Sequence, residues 1–414
     1  MLYRSSIKAQ STKAIVASLI ALLVCSNVAL TSERSNQVDN RLTAASSKFS
    51  FKLYEQLIKR PAGDNTFVSP ASVMLALAMT YNGADGTTRE AMARTLELEG
   101  MSLEEVNQAF ANLKSALAPA DPKIQLKIAN SLWARNGFVL NPAFVERNEK
   151  SYDAEIASLD FADPAAVKTI NSWVSKNTEG KIDKIIGQIE DGAVLFLINA
   201  IYFKGQWQIE FKKQNTKPDV FRLGGGGQKE VPMMSQSGGF FYYKGKDFQS
   251  VALPYGTGRV SMYVVLPDEL KSLDQFEKDL TAENWDIWMR SFQLNPGDLM
   301  LPRFKIEWEA QLNQALKALG MAEAFDPARA DFSQMAKVSS GNRLFISEVK
   351  HKSWCEVNEE GTEAAAATSV GMSLTSVRKT PEKFVMKVDR PFFFAIRDNQ
   401  TGVVLFMGSV RNPG

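Results

Sequence analysis

Glu359-Glu360-Gly361-Thr362-Glu363-Ala364-Ala365-Ala366-Ala367-Thr368-Ser369-Val370-Gly371-Met372-Ser373-Leu374-Thr375 is the stretch on which the reading of this 414-residue chain turns. Its alanines favour helix, yet no apolar face of helical period runs through it. At period two it becomes orderly. Thr362, Ala364, Ala366, Thr368, Val370, Met372 and Leu374 share one side, all small or apolar. Glu363, Ala365, Ala367, Ser369, Gly371, Ser373 and Thr375 share the other, mostly small or polar. The pattern is a half-buried strand of about 14 residues, where 5–6 is usual. Residues 373–382 follow as a polar loop with Arg378, Lys379 and Pro381. On periodicity alone an ordinary edge strand followed by a surface loop fits as well. Gly361 adds a hinge that would let so slim a segment enter a sheet.

Working outward, the chain holds one histidine, His351. A Ser-His-Asp or Cys-His nucleophile, a multi-histidine zinc site and a histidine proton shuttle would all have to run through it. By itself such a residue reads as a satisfied core histidine. A carboxylate-pair hydrolase stays open on composition, but Asp163, Asp191 and Glu359-Glu360 read as caps, turns and solvated charge. No enzyme, metal or cofactor is expected. With 48 basic and 46 acidic side chains the net charge is +2, too small to argue for nucleic acid. Lys212-Lys213 and Arg378-Lys379 are too short to make a polyanion site.

Arg4, Lys8 and Lys13 precede an apolar run at 14–24, which Ser26 and Asn27 break. The run is short of the roughly 20 residues a membrane span needs. Residues 1–30 are therefore expected to be a secretory signal peptide. Leu22-Leu23-Val24-Cys25 resembles a lipoprotein box with too large a residue at Val24, so a lipid-anchored form is the minor variant. Residues 31–47 read as a flexible lead-in and 48–414 as one domain. An exported protein, extracellular or periplasmic, follows. Once such a leader is removed, Cys355 is the only cysteine and reads as a small buried hydrophobe.

Helices are expected at 49–60, from Pro70 to Thr80, at Leu103–Leu117, at Ala165–Asn177 and at 309–319. Strands are expected at 124–134, at 193–203, and either side of the turns at 254–258 and 398–402. The class is mixed α+β with no linker.

The run from Glu359 to Thr368 resembles the hinge of the serpins, serine protease inhibitors with a mobile reactive loop. Three further pieces resemble the same family in the same order. They are Asn65-Thr66-Phe67-Val68-Ser69-Pro70, then Leu197-Ile198-Asn199-Ala200-Ile201-Tyr202-Phe203-Lys204-Gly205-Gln206-Trp207, then Arg390-Pro391-Phe392-Phe393-Phe394 through Phe406-Met407-Gly408. Together they cover almost all of residues 46–414.

The resemblance implies a single domain with three β-sheets, eight or nine helices and an exposed reactive-centre loop. It implies a monomer that acts as a suicide substrate. The target serine protease cuts the loop, the loop inserts into the largest sheet, and the protease is trapped as an acyl-enzyme. Counting as the family does puts the bond at Thr375–Ser376, which suits elastase-like or subtilisin-like targets. Leu374, Val377 and Arg378 remain alternatives for the residue before the bond. Ser69, Ser72, Asn199 and His351 match a hydrogen-bonded latch beneath the opening of that sheet. Trp207 and Glu359 match positions at its top, with Arg303 as the glutamate's partner. Thr362 would be the first inward residue to be desolvated. A carrier or folding helper of the same fold is the alternative function, and the small uncharged inward face argues against it.

Overall fold

The computed structural model describes residues 38–59, 64–118, 121–337, 343–362 and 382–414. Among them are nine α-helices and three sheets of nine, six and two strands, an α+β architecture. The first helix, Asn40–Leu57, starts inside the expected lead-in. Asp39 caps it by accepting from the Arg41 N–H, and Leu42, Ala45 and Phe49 are buried along one face. The Ser/Asn/Thr content around these residues hid an i, i+3, i+7 stripe, so residues 40–47, expected to belong to the lead-in, are helical. Residues 1–37, the expected signal peptide among them, lie outside the described residues.

Pro70–Tyr81 is buried along its whole length. Proline at its first turn and the Ser69 side chain accepting from the Ser72 N–H begin it. The helix expected at 309–319 starts later. Phe304–Gln311 is a strand of strict in-out alternation; Asn313–Leu316 is then α-helical and Lys317–Met321 continues as a π-helical turn in which Gly320 has φ +115°. The turn at Gly320 was legible; the strand end was not, because Glu309 and Gln311 are its outward residues.

The six-stranded sheet runs in the order Phe304–Gln311, Glu348–Val357, Gly361–Thr362, Leu195–Gln206, Ile124–Arg135, Glu155–Leu159. Leu195–Gln206 is buried on both faces, which explains its unbroken apolar run. Leu197, Ile201 and Phe203 join the main core, while Phe196, Ile198 and Ala200 join a second core. The helix Ala165–Asn177 closes that second core with Ala166, Ile170 and Val174.

The nine-stranded sheet is larger because Gln228–Lys244 runs on for 17 residues and pairs with three different strands. It carries the C-terminal hairpin, Phe392–Asp398 with Val404–Val410. Phe67 stacks on Phe394 and Phe406 at 5.5 and 5.2 Å, fixing the strand Thr66–Val68 just ahead of Ser69. The sheet that holds Gly361 is therefore not the largest one, as the resemblance had led us to expect, but the six-stranded one.

Candidate functional site

The strands Leu195–Gln206 and Glu348–Val357 lie side by side in parallel register, from Phe196↔Glu348 to Tyr202↔Trp354. Above that point they part. Asn358 makes a tight turn: its side-chain Oδ1 accepts from the Glu360 and Gly361 N–H groups, and its N–H donates to the Gly361 carbonyl. The chain then doubles back between the two strands. Gly361 pairs with Gln206, and Thr362 pairs with Gly205 on one side and Val357 on the other. Two residues thus stand as a wedge in the mouth of a seam.

The wedge is closely fitted. Gly361 has φ +150°, and a Cβ there would lie 2.0 Å from the Gly205 carbonyl oxygen. No other residue fits without moving the strand. The Thr362 side chain is 1% exposed, with its Oγ1 2.6 Å from Tyr255 Oη. Tyr255 stacks on Trp207 at 4.4 Å, and Trp207 donates its indole N–H to the Asn358 carbonyl at 2.9 Å. The Trp207 and Phe211 N–H groups donate to the carbonyls of Glu360 and Glu359. Thr362 was expected to be desolvated on insertion; in this structure it is already buried.

Glu359 is not solvated charge, contrary to the sequence reading. Its side chain is 2% exposed. Arg303 donates from Nε and Nη2 at 2.9 and 2.6 Å, and Thr216 Oγ1 at 2.5 Å. Burial pushes the carboxyl up, but the Arg303 and Thr216 hydrogen bonds outweigh it and hold it below the usual range. Glu360 pairs with Lys213 at 2.5 Å.

Lower in the seam the structure brings Ser69, Ser72, Asn199 and His351 together, all fully buried. His351 Nε2 accepts from the Ser69 N–H at 3.2 Å. Its Nδ1 lies 2.5 Å from Asn199 Oδ1 and must therefore carry the proton. Asn199 in turn donates to Ser72 Oγ and to Asn130 Oδ1. The Ser69 hydroxyl donates to the Leu405 carbonyl at 2.6 Å, and the Ser353 hydroxyl to the Phe67 carbonyl at 2.6 Å. Burial pushes the imidazole down to about 3, so it is neutral, with one donor and one acceptor that match its neighbours. Sealed from solvent, this neutral imidazole cannot pass its one proton to a substrate. Cys355, four residues further along the same strand, is buried too, and burial pushes its thiol up beyond reach of thiolate chemistry.

Sequence reasoning missed Tyr255, Asn358, Thr216 and Asn130. Tyr255 read only as part of the Pro254-Tyr255-Gly256 turn. Asn358 carried the better signal, a turn former directly before Glu-Glu-Gly. Of the expected hinge, Glu359, Glu360, Gly361 and Thr362 are placed. Glu363, Ala364, Ala365, Ala366, Ala367, Thr368, Leu374, Thr375, Ser376, Val377 and Arg378 lie outside the described residues. Among those described, no group of acidic, cysteine or histidine side chains could hold a metal ion, and no helix is long and apolar enough to cross a membrane.

The family model "Serpin (serine protease inhibitor)" matches residues 44–413. Leukocyte elastase inhibitor A of Rattus norvegicus is 39% identical over 386 residues, covering 90% of this chain and 100% of the relative. Leukocyte elastase inhibitor of Homo sapiens is 36% identical over 385 residues with the same coverage. Among solved structures, the thermophilic serpin tengpin in its native state superposes with a TM-score of 0.84 at 34% identity, covering 91% of this chain and 95% of that one. These relatives overturn the expectation of an exported or lipid-anchored protein. They align along their whole length, and nothing in them corresponds to a leader, so the likeness brings no export with it. With sheet, seam and sequence in agreement, the chain belongs to the serpin family, inhibitors of proteases and not enzymes.

Proposed function

We propose that the protein is an irreversible suicide-substrate inhibitor of serine proteases, carried by one domain that begins at Asp39. The wedge at Gly361–Thr362 is the observation that supports this most directly, because it is a strand already begun in the seam. Cleavage downstream would free the chain after Thr362 to continue the same ladder, adding main-chain hydrogen bonds and burying its small side.

The register gives the path. Thr362 faces Gly205 and Val357; six residues further on, Thr368 would face both Asn199 and His351. Insertion parts these two and breaks their hydrogen bond. A threonine hydroxyl arriving between them offers a donor and an acceptor in its place, so the latch is satisfied on both sides of the change. Ala364 and Ala366 would pass Phe203 and Ile201 without steric conflict.

The bond is assigned to Thr375–Ser376, with an elastase-like or subtilisin-like target. The likeness to the leukocyte elastase inhibitors supports the elastase class for this chain as well. Incubation with elastase, subtilisin, chymotrypsin and trypsin tests the reading. The expected result is a detergent-stable complex with elastase or subtilisin and a released peptide that runs from Ser376 to Gly414. Cleavage by all four with no covalent complex would assign the carrier or folding-helper function instead.

A further inference from the structure

Building on that function, we propose that an apolar groove beside the two ends of the reactive loop is a second docking surface for the target protease, seating an apolar strip next to its catalytic cleft. Few large apolar side chains of the described residues are well exposed, and three of these converge on one place: Ile209 at 61%, Phe241 at 51% and Leu294 at 58%. They line a groove of about 200 Å³ whose floor includes Gly238 and Gly239. Phe241 and Leu294 are directly opposed across two antiparallel strands. A convergent apolar patch on a soluble protein marks a contact surface more often than lone exposed residues do.

The groove is built firmly. The Gln208 N–H donates to the Pro254 carbonyl at 2.8 Å, and Gln236 Nε2 donates to the Ile209 carbonyl at 3.3 Å, so the segment carrying Ile209 is pinned on both sides. No charged side chain lines it.

Its position selects the occupant. The described chain stops at Thr362 and resumes at Glu382. Trp207 walls the groove and binds the turn at Asn358 and Glu360, just before the chain stops. On the return side Phe384 pairs in parallel with Gly297, so Glu382 comes alongside Asn295, the neighbour of Leu294. A protease seated on the chain between those ends overhangs this face. A second copy of the serpin, or the loop itself, is the competing occupant.

The test is the apparent second-order rate of inhibition by elastase, which depends on how long the encounter complex persists before acylation. The variant Ile209→Ser/Phe241→Ser/Leu294→Ser is expected to lose about tenfold or more, since buried apolar anchors dominate docking. The loss should persist from low to high salt, with stoichiometry of inhibition and thermal stability unchanged. Ile287→Ser, an equally exposed apolar residue outside the groove, should keep the native rate. A rate within twofold of native, or an equal loss in Ile287→Ser, overturns the proposal. So does a changed melting temperature, which marks the loop as occupant, or a native dimer lost in the variant. If the native protein forms no covalent complex with any of the four proteases, the suicide-substrate reading fails first; if it does and the variant matches it, only the groove fails.

Discussion

Thr362 Oγ1 lies 2.6 Å from Tyr255 Oη in a site closed to solvent, so the start of the hinge stretch is bonded into the six-stranded sheet. An arginine at this position would bring a charge into that closed site, where an unpaired charge costs several kcal/mol. Thr362→Arg is therefore expected to expel the wedge, lower the melting temperature and raise the stoichiometry of inhibition severalfold, because the protein is cut as a substrate. Thr362→Val, which loses only the hydroxyl, is expected to destabilise by about 1 kcal/mol and to stay inhibitory. Equal covalent complex formation by Thr362→Arg and the native protein would refute the wedge as the start of insertion.

Gly361→Ala tests the same feature through the backbone. The added methyl meets the Gly205 carbonyl, and the positive φ disfavours it as well. Slower trapping and more substrate turnover are expected, read from the partition between cleaved and complexed serpin on denaturing gels.

His351 predicts a pH dependence whose sign is fixed. Burial pushes the folded imidazole down to about 3, while the unfolded one titrates near 6.5. Above about pH 6.5 neither is protonated and nothing is lost. As pH falls from about 6.5 towards 3, the unfolded chain gains a proton the folded one refuses. Stability then drops by about 1.4 kcal/mol per unit from this group. His351→Gln should show a shallower slope between pH 6 and 4 in urea unfolding, with faster polymerisation at neutral pH. A slope equal to that of the native protein would remove the histidine from the latch.

Thr368→Val separates the two states of the latch. Folding of the uncleaved protein is expected to be unchanged, while the heat stability of the cleaved form falls, since Asn199 and His351 lose the hydroxyl that replaces their bond. Melting curves of both forms before and after loop cleavage decide it.

Glu359 and Arg303 hold the top of the seam. Glu359→Gln leaves Arg303 hydrogen-bonded but without a countercharge. The change is expected to raise the rate of peptide insertion from outside more than it lowers the melting temperature, because Arg303 is half exposed and solvent screens the pair. An unchanged insertion rate would make the pair incidental.

Much of this was legible in sequence for definite reasons. Leu195–Gln206 announced itself because both its faces are covered, and Ser69-Pro70 because capping chemistry is local. Gly361 was visible because a glycine directly before the run of small side chains marks a close backbone approach, here to Gly205. The contacts of Tyr255, Thr216 and Asn130 were not legible. Each arrives from a distant strand or loop, and nothing beside these residues in sequence marks their partners. Glu359 misled on local composition alone: beside Glu360 it looks solvated, whereas the family resemblance had named Arg303 as its partner, the pair the structure shows. The first turns of the helix at Asn40 were missed because Asn40, Arg41 and Lys48 are exposed and Ser46, though buried, carries no apolar side chain to mark the face.

Among the described residues, the strand pairings and hydrogen bonds found for Gly361 and Thr362 are with residues that precede them in the chain: Gly205, Gln206, Tyr255, Val357 and Asn358. On the proposed mechanism, the part that starts the trap is thus separate from the bait. If the bond lies at Thr375, residues around it are free to drift to suit a new protease while the wedge stays engaged, and a lineage would change its prey by substitution in one loop and inherit the spring unaltered.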